Sequence, residues 1–202
     1  IVFNPDGRLM YPEGPQISVK VGHLADILDG QSRPHFFHGV ATVVAKLFNL
    51  VRPTRAYFGA KDFQQTVIIR QLIEELFFEI ELVVCPTERE EDGLAMSSRN
   101  QYLTAEQRPI ATTLYRALQA VRAERDSLQL NTARALMQQI FATHPQLELD
   151  YFDIRAASDL RLLEQWTPED QPVALIAAIL GKTRLIDNLR LYPENAEHSA
   201  QD

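Results

Sequence analysis

The sequence has 202 residues, 46% of them hydrophobic and 23% charged, which is the composition of a globular chain able to bury a core. Lys and Arg total 20 against 27 Asp and Glu, a net charge of −7, which argues against a nucleic-acid binder that must neutralise phosphates. One cysteine, Cys85, excludes an internal disulfide framework and an all-cysteine metal site, and no apolar run reaches the roughly 18 residues of a membrane helix. The opening, Ile1-Val2-Phe3, reads as the middle of a strand without a leader-like segment, so the sequence is expected to be part of a longer chain.

Residues 4–15, with Asn4-Pro5-Asp6-Gly7, predict a loop. Gln16–Val21 alternates apolar and polar residues (Ile17, Val19, Val21) and predicts a short strand. Val40, Val43, Val44, Leu47 and Phe48 then recur at helical spacing, and Arg52-Pro53 ends that helix. A short apolar run, Ala56-Tyr57-Phe58, meets Gly59. A second helix follows, with Ile68, Ile69, Leu72, Ile73 and Leu76 on one stripe. Ile80–Cys85 has the length and β-branched content of a strand. Strand, helix and strand in about 30 residues make a βαβ unit with parallel pairing, so this part is α/β.

The rhythm then changes. Thr104 to about Arg125 predicts a helix with Ile110, Leu114, Leu118 and Val121 aligned, and Thr104 with Gln107 fits a capping box. Pro109 should tighten or kink its first turns. Asn131 to about Thr143 predicts another helix, with Leu136, Met137, Ile140 and Phe141 inward. Strands are expected at Leu147–Ile154, Val173–Leu180 and Arg184–Asp187, the last two joined by the hairpin-length Gly181-Lys182-Thr183. Helices followed by an antiparallel sheet indicate a small α+β domain, spanning 88–190 after a first domain of 1–87. Residues 191–202 should form a polar tail or linker.

Three segments could carry chemistry. Phe58-Gly59-Ala60-Lys61-Asp62-Phe63-Gln64-Gln65 lies at the strand-to-helix turn of the βαβ unit, where open α/β sheets bind ligands and helix N-termini attract anions. Gly59 would let a backbone approach, and Lys61 would meet phosphate. The plain alternative is that Asp62 caps the helix with Gln65 as box partner. No Gly-x-x-x-x-Gly-Lys-Ser/Thr or Gly-x-Gly-x-x-Gly pattern is present. Asp92-Gly93-Leu94-Ala95-Met96-Ser97-Ser98-Arg99-Asn100 sets two hydroxyls beside a guanidinium, either to follow charge on a polyphosphate or as an ordinary surface turn. Ser32-Arg33-Pro34-His35-Phe36-Phe37-His38-Gly39 holds two histidines three apart but no third ligand, so no metal site is expected from side chains. In it, Arg33 suits a carboxylate and Gly39 a helix start.

Taken in order, these segments resemble the pantothenate synthetase (pantoate–β-alanine ligase) family. They are Ser32-Arg33-Pro34, His38–Val51, Phe58–Gln65, Asp92–Asn100 with Tyr102-Leu103, and Arg184-Leu185-Ile186-Asp187-Asn188. The resemblance runs to about Asn188 and implies the later part of a Rossmann-like nucleotide-binding domain followed by the small α+β domain. It implies an ATP-dependent ligase that forms pantoyl adenylate and pyrophosphate, then transfers the pantoyl group to β-alanine and releases AMP. The implied ATP contacts are Gly59, Ala60, Lys61, Asp62, Glu88, Met96, Ser97, Ser98 and Arg99. Of these, Lys61, Ser97, Ser98 and Arg99 would act in catalysis, Asp62 would lie near ribose or Mg2+, and Glu88 would contact the nucleotide through its backbone. Gln65 would bind pantoate.

The resemblance further implies a cytoplasmic homodimer whose partners are ATP, pantoate and β-alanine, with no membrane or nucleic acid. The chain departs from the family at Ala60, where relatives carry an acidic residue, at Phe36, where they carry histidine, and at Glu88, where they are mostly apolar. It has no counterpart of the family's N-terminal His-x-Gly-His motif, so it is expected to be inactive alone. Some relatives continue into a cytidylate kinase, for which the polar tail would suit as a linker. Two other readings stand beside this one: a different adenylate-forming nucleotidyltransferase, and a non-catalytic oligomerisation or binding module.

Overall fold

A computed structural model describes residues 2–193; Ile1 and residues 194–202, most of the expected tail, lie outside the described residues. The chain divides into two compact units, one of Ile1–Phe58 with Gln64–Val84, the other of Gly59–Phe63 with Cys85–Asp202. The architecture is mixed α/β, with one parallel two-stranded sheet and one antiparallel three-stranded sheet. The turn Gly59–Phe63, expected with the first domain, groups with the second unit.

In the first unit, the expected loop 4–15 contains one helical turn, α1 (Gly7–Met10), because Asp6 Oδ1 accepts from the Leu9 N–H at 2.8 Å. Gln16–Val21 does not form the predicted strand. Its alternate N–H groups go to a helix instead: Val19 donates to Thr42 Oγ1 at 2.9 Å and Val21 to His38 Nδ1 at 3.2 Å. Residues two apart on an extended chain thus meet acceptors four apart on a helix, and no partner strand is needed. His38 is thereby occupied in holding backbone. After α2 (Asp29–Ser32), α3 spans Phe36–Val51, starting four residues before the expected Val40, with His35 at φ 68° opening it and Arg52 at φ 49° closing it. Gly39 lies inside α3, not at its start, and the Arg33 guanidinium stacks on the Phe36 ring at 3.5 Å.

Strands β1 (Arg55–Gly59) and β2 (Glu81–Cys85) pair in parallel across α4 (Phe63–Glu75), as the βαβ pattern predicts. Ile69, Leu72 and Ile73 of α4 pack with Ala41, Val44, Ala45 and Phe48 of α3, whereas Leu76 lies past the helix end and is exposed.

Among its described residues, the second unit has three α-helices and the antiparallel sheet. The predicted helix from Thr104 is two: α5 (Gln107–Ala111) and α6 (Thr113–Ala123). Thr104 and Gln107 form the expected box, each backbone N–H donating to the other's side chain at 3.1 and 3.2 Å. The break follows Pro109, whose carbonyl accepts from the Thr112 hydroxyl at 2.7 Å. Leu114, Ala117, Leu118 and Val121 give α6 a fully buried stripe, each large side chain contributing roughly 1.5–3 kcal/mol over exposure. α7 (Leu130–Ala142) buries Met137 and Phe141 in the same core.

The sheet order is β3 (Leu147–Ala156), β4 (Pro172–Leu180), β5 (Thr183–Arg190), with a bulge between Leu149 and Tyr151. β4 and β5 join through Gly181-Lys182, where Gly181 has φ 62°. The polar tail does not begin at 191: Leu191 is buried and donates its N–H to the Pro172 carbonyl, and Tyr192 bonds Asp126.

Candidate functional site

A recess in the second unit is lined by Lys61, Ser97, Arg99, Asn100, Arg184 and Asp187 over an apolar floor that includes Leu94 and Leu114. Three pieces of chain meet there. The first is the tight turn Ala60–Asp62 between β1 and α4. Its carbonyls at Ala60 and Lys61 accept hydrogen bonds from the Asn188 amide at 2.8 and 2.9 Å. The second is the stretch Arg184–Asp187 of β5. The third is the loop from Glu88 to Asn100, which folds back on itself: Met96 N–H donates to the Glu88 carbonyl, Glu90 N–H to Leu94, and Gly93 N–H to Glu90. Gly93 must be glycine, since its φ is 88° and a Cβ would sit 2.8 Å from the Tyr115 ring.

Charge locks this loop in place. Arg89 grips Asp187 with both terminal nitrogens at 2.7 and 3.0 Å, donates to the Gly93 carbonyl at 3.1 Å, and lies 3.7 Å from the Tyr115 ring centroid. Arg108 bridges Glu90 and Asp92 at 2.8 and 2.9 Å, and these hydrogen bonds hold both carboxyls below their usual range. The bond from Asn100 Nδ2 to Glu90 adds to the effect. Asn100 also donates to the Ala95 carbonyl, while its buried Oδ1 has no partner among the described residues.

Lys61 and Arg99 differ from these arginines. Neither side chain has a hydrogen-bond or ion-pair partner among the described residues, and both residues line the recess. Ser97 Oγ accepts from the Arg99 N–H at 3.2 Å and so starts the turn Ser98–Tyr102, with its hydroxyl hydrogen left to donate. Two cations without side-chain partners beside a hydroxyl are groups whose chemistry suits an anion.

Of the residues expected to bind ATP, Lys61, Ser97 and Arg99 come together on the recess, while Gly59, Ala60, Asp62, Glu88, Met96 and Ser98 are outside its lining. A Cβ on Gly59 would meet open space at an ordinary φ of −76°, so the fold itself does not require glycine there. Asp62 is exposed and makes no capping bond among the described residues, so the N-cap alternative is not what forms. The Glu88 carbonyl is already taken by Met96 N–H. Gln65 is half-buried on the first turn of α4 and belongs to the first unit. Its neighbour Gln64 is buried and structural, donating to the Leu24 and Ile27 carbonyls and accepting from Asp29 N–H.

Sequence reasoning gave no role to Arg89, Asn100, Asp187 or Asn188. The only signal was that Asn100, Asp187 and Asn188 sit within two of the matching motifs.

The family model for pantoate–β-alanine ligase matches residues 1–190, nearly the whole chain. The chain belongs to the pantoate–β-alanine ligase family. Among curated members, the pantothenate synthetase of Herpetosiphon aurantiacus is 48% identical over 94% of this chain and 69% of its own length. That of Mycolicibacterium smegmatis is 46% identical over 95% and 59%. The chain thus spans about six- to seven-tenths of these ligases. A crystal structure of the Thermus thermophilus pantothenate synthetase superposes with a TM-score of 0.88 at 43% identity, over 94% of this chain and 68% of that one. The Francisella tularensis ligase, in complex with β,γ ATP and β-alanine, gives a TM-score of 0.70 at 32% identity, over 91% and 62%.

Proposed function

We propose that the protein condenses pantoate with β-alanine using ATP, by way of pantoyl adenylate. The observation that carries this reading is that Lys61 and Arg99, unpaired among the described residues, line one recess with Ser97 in a chain of this family. The ATP and β-alanine held by the Francisella tularensis ligase support the same substrates here.

In the first step a pantoate carboxylate oxygen attacks the α-phosphorus of ATP. The bond from that phosphorus to the oxygen bridging to the β-phosphate breaks, and pyrophosphate leaves. In the second, the β-alanine amine attacks the acyl carbon, the bond from that carbon to the AMP oxygen breaks, and the amine gives up a proton as pantothenate forms. Both steps demand positioning and charge neutralisation more than covalent help from the protein. The Arg99 guanidinium suits paired phosphate oxygens, the Lys61 ammonium a single mobile contact, and the Ser97 hydroxyl a donated hydrogen bond. Gly59, Ala60, Asp62, Glu88, Met96 and Ser98 complete the proposed ATP contacts, and Gln65 binds pantoate. Mg2+ fits this donor set: it needs only one or two carboxylates besides phosphates and water, and exposed Asp62 offers one. When bound, it would neutralise phosphate charge. The same reading makes the protein a cytoplasmic homodimer; no helix among the described residues is long and apolar enough to cross a membrane.

The test is pantoate-dependent exchange of labelled pyrophosphate into ATP by the full-length protein. Lys61→Ala should lower that exchange by about 10²–10³-fold, the effect of removing one preorganised charge-stabilising donor. Exchange that ignores pantoate, or that survives Lys61→Ala unchanged, would sink the proposal.

A further inference from the structure

Asn188 stands apart from the other polar residues of the second unit. It is buried on β5, yet its side chain reaches across 127 and 128 residues of sequence to bond the Lys61 and Ala60 carbonyls. A carboxamide has two N–H hydrogens, and here the one nitrogen serves two successive carbonyls. The two carbonyls flank the Cα of Lys61, so that Cα is held from both sides. A lysine stem is flexible, and the reach of its ammonium is set by where its Cα is anchored.

Asn188 is itself held firmly. Its backbone pairs with Leu175 in β4, and its N–H donates to Asp187 Oδ1 at 2.8 Å. Asp187 in turn takes the paired bonds from Arg89, which also bonds the Gly93 carbonyl in the loop carrying Ser97 and Arg99. One dipeptide on a strand therefore references both pieces of chain that bring cations to the recess. The Arg89–Asp187 pair holds one, and the Asn188 amide holds the other.

We infer that Asn188 is a positioning residue for adenylation, setting the place of Lys61 against Ser97 and Arg99. The inference rests on the functional reading above. Asn188 need not touch substrate; it acts through the backbone of the Lys61 turn. An aspartate of the same shape has no N–H to give and would face two carbonyls with a charge, and a leucine would keep the bulk and lose both donors.

The experiment compares Asn188→Leu and Asn188→Asp with the parent, in the full-length protein, by pantoate-dependent pyrophosphate exchange and by the β-alanine step. Both variants should lose about 10²-fold in exchange kcat, the cost of an ångström-scale misplacement, with the KM for β-alanine within about twofold of the parent. Combined with Lys61→Ala, Asn188→Leu should lower exchange by no more than about twofold further, because the two act as one unit. Exchange close to the parent's, or losses that multiply in the double variant, would overturn the inference. If Asn188→Leu does not fold, Asn188→Ser, which keeps one donor, carries the test, with an intermediate loss expected and none overturning the idea. A parent without pantoate-dependent exchange overturns the functional reading and this inference together. A parent that responds to Lys61→Ala but not to Asn188 changes overturns this inference alone.

Discussion

Two stretches without regular structure are fixed in opposite ways. Residues 16–22 of the first unit are held by side-chain acceptors on α3: Thr42 takes the Val19 N–H and His38 the Val21 N–H. The Glu88–Asn100 loop of the second unit is held by its own backbone bonds and by two arginines, Arg89 on Asp187 and Arg108 on Glu90 and Asp92. The first device orders one extended strip. The second lets a loop stand in a defined shape while the Arg99 side chain, inside it, has no partner among the described residues. A loop can thus be braced by pairing some of its cations while another is left unpaired.

That contrast can be broken from either side. The largest effect belongs to Asp187→Ala, which leaves Arg89 half-caged without its carboxylate; the two side chains are only 17% and 3% exposed. Removing one member of such a buried pair should cost about 3–5 kcal/mol, read from denaturant unfolding. A cost near zero would mean that the loop does not depend on the pair. Thr42→Val is smaller: it removes the acceptor of the Val19 N–H and should cost about 1 kcal/mol, with faster amide exchange confined to the 16–22 strip. Spread of that exchange into α4 would show that the strip is not held independently.

Acid should give the smallest effect on the braced loop, through its two carboxyls. Arg108 depresses the Glu90 and Asp92 carboxyls in the folded state. Their contribution is therefore complete above their unfolded values of about 4 and is lost as pH falls through the lower folded values. Both groups are solvated, so the loss is slight. The protection factor of the Leu94 amide, whose N–H donates to Asp92 Oδ1, should fall below about pH 4.

Much of this was legible in the sequence wherever the deciding contacts are local. The Thr104–Gln107 box, the Leu114–Leu118–Val121 stripe, the βαβ order and the Gly181 turn each depend on neighbours a few residues away. Gln16–Val21 misled because alternation says nothing of what the backbone bonds, and here it also failed for burial: Val19 and Val21 are half-buried, whereas Ile17 is exposed. Pro109 signalled strain but not that the helix would restart at Thr113. Lys61, Ser97 and Arg99 stood out as residue types at turns. Arg89 and Asn188 did not, because Arg89 meets Asp187 98 residues on and Asn188 reaches back farther still. An arginine in an acidic run looks like surface until its partner is known.

The central strand has a consequence for how the protein is handled. Val173–Leu180 is a wholly apolar run of eight residues, uncharged and free of proline, and as β4 it is buried almost end to end between two neighbours. Released from them, such a segment can stack with copies of itself into dry cross-β layers. Pro172 ahead of it, with Lys182 and Arg184 behind, acts as a gatekeeper at each end. Keeping β3 and β5 in place is thus a safeguard against aggregation as well as a matter of shape, and heat or denaturant that frees β4 should drive the protein towards insoluble assemblies.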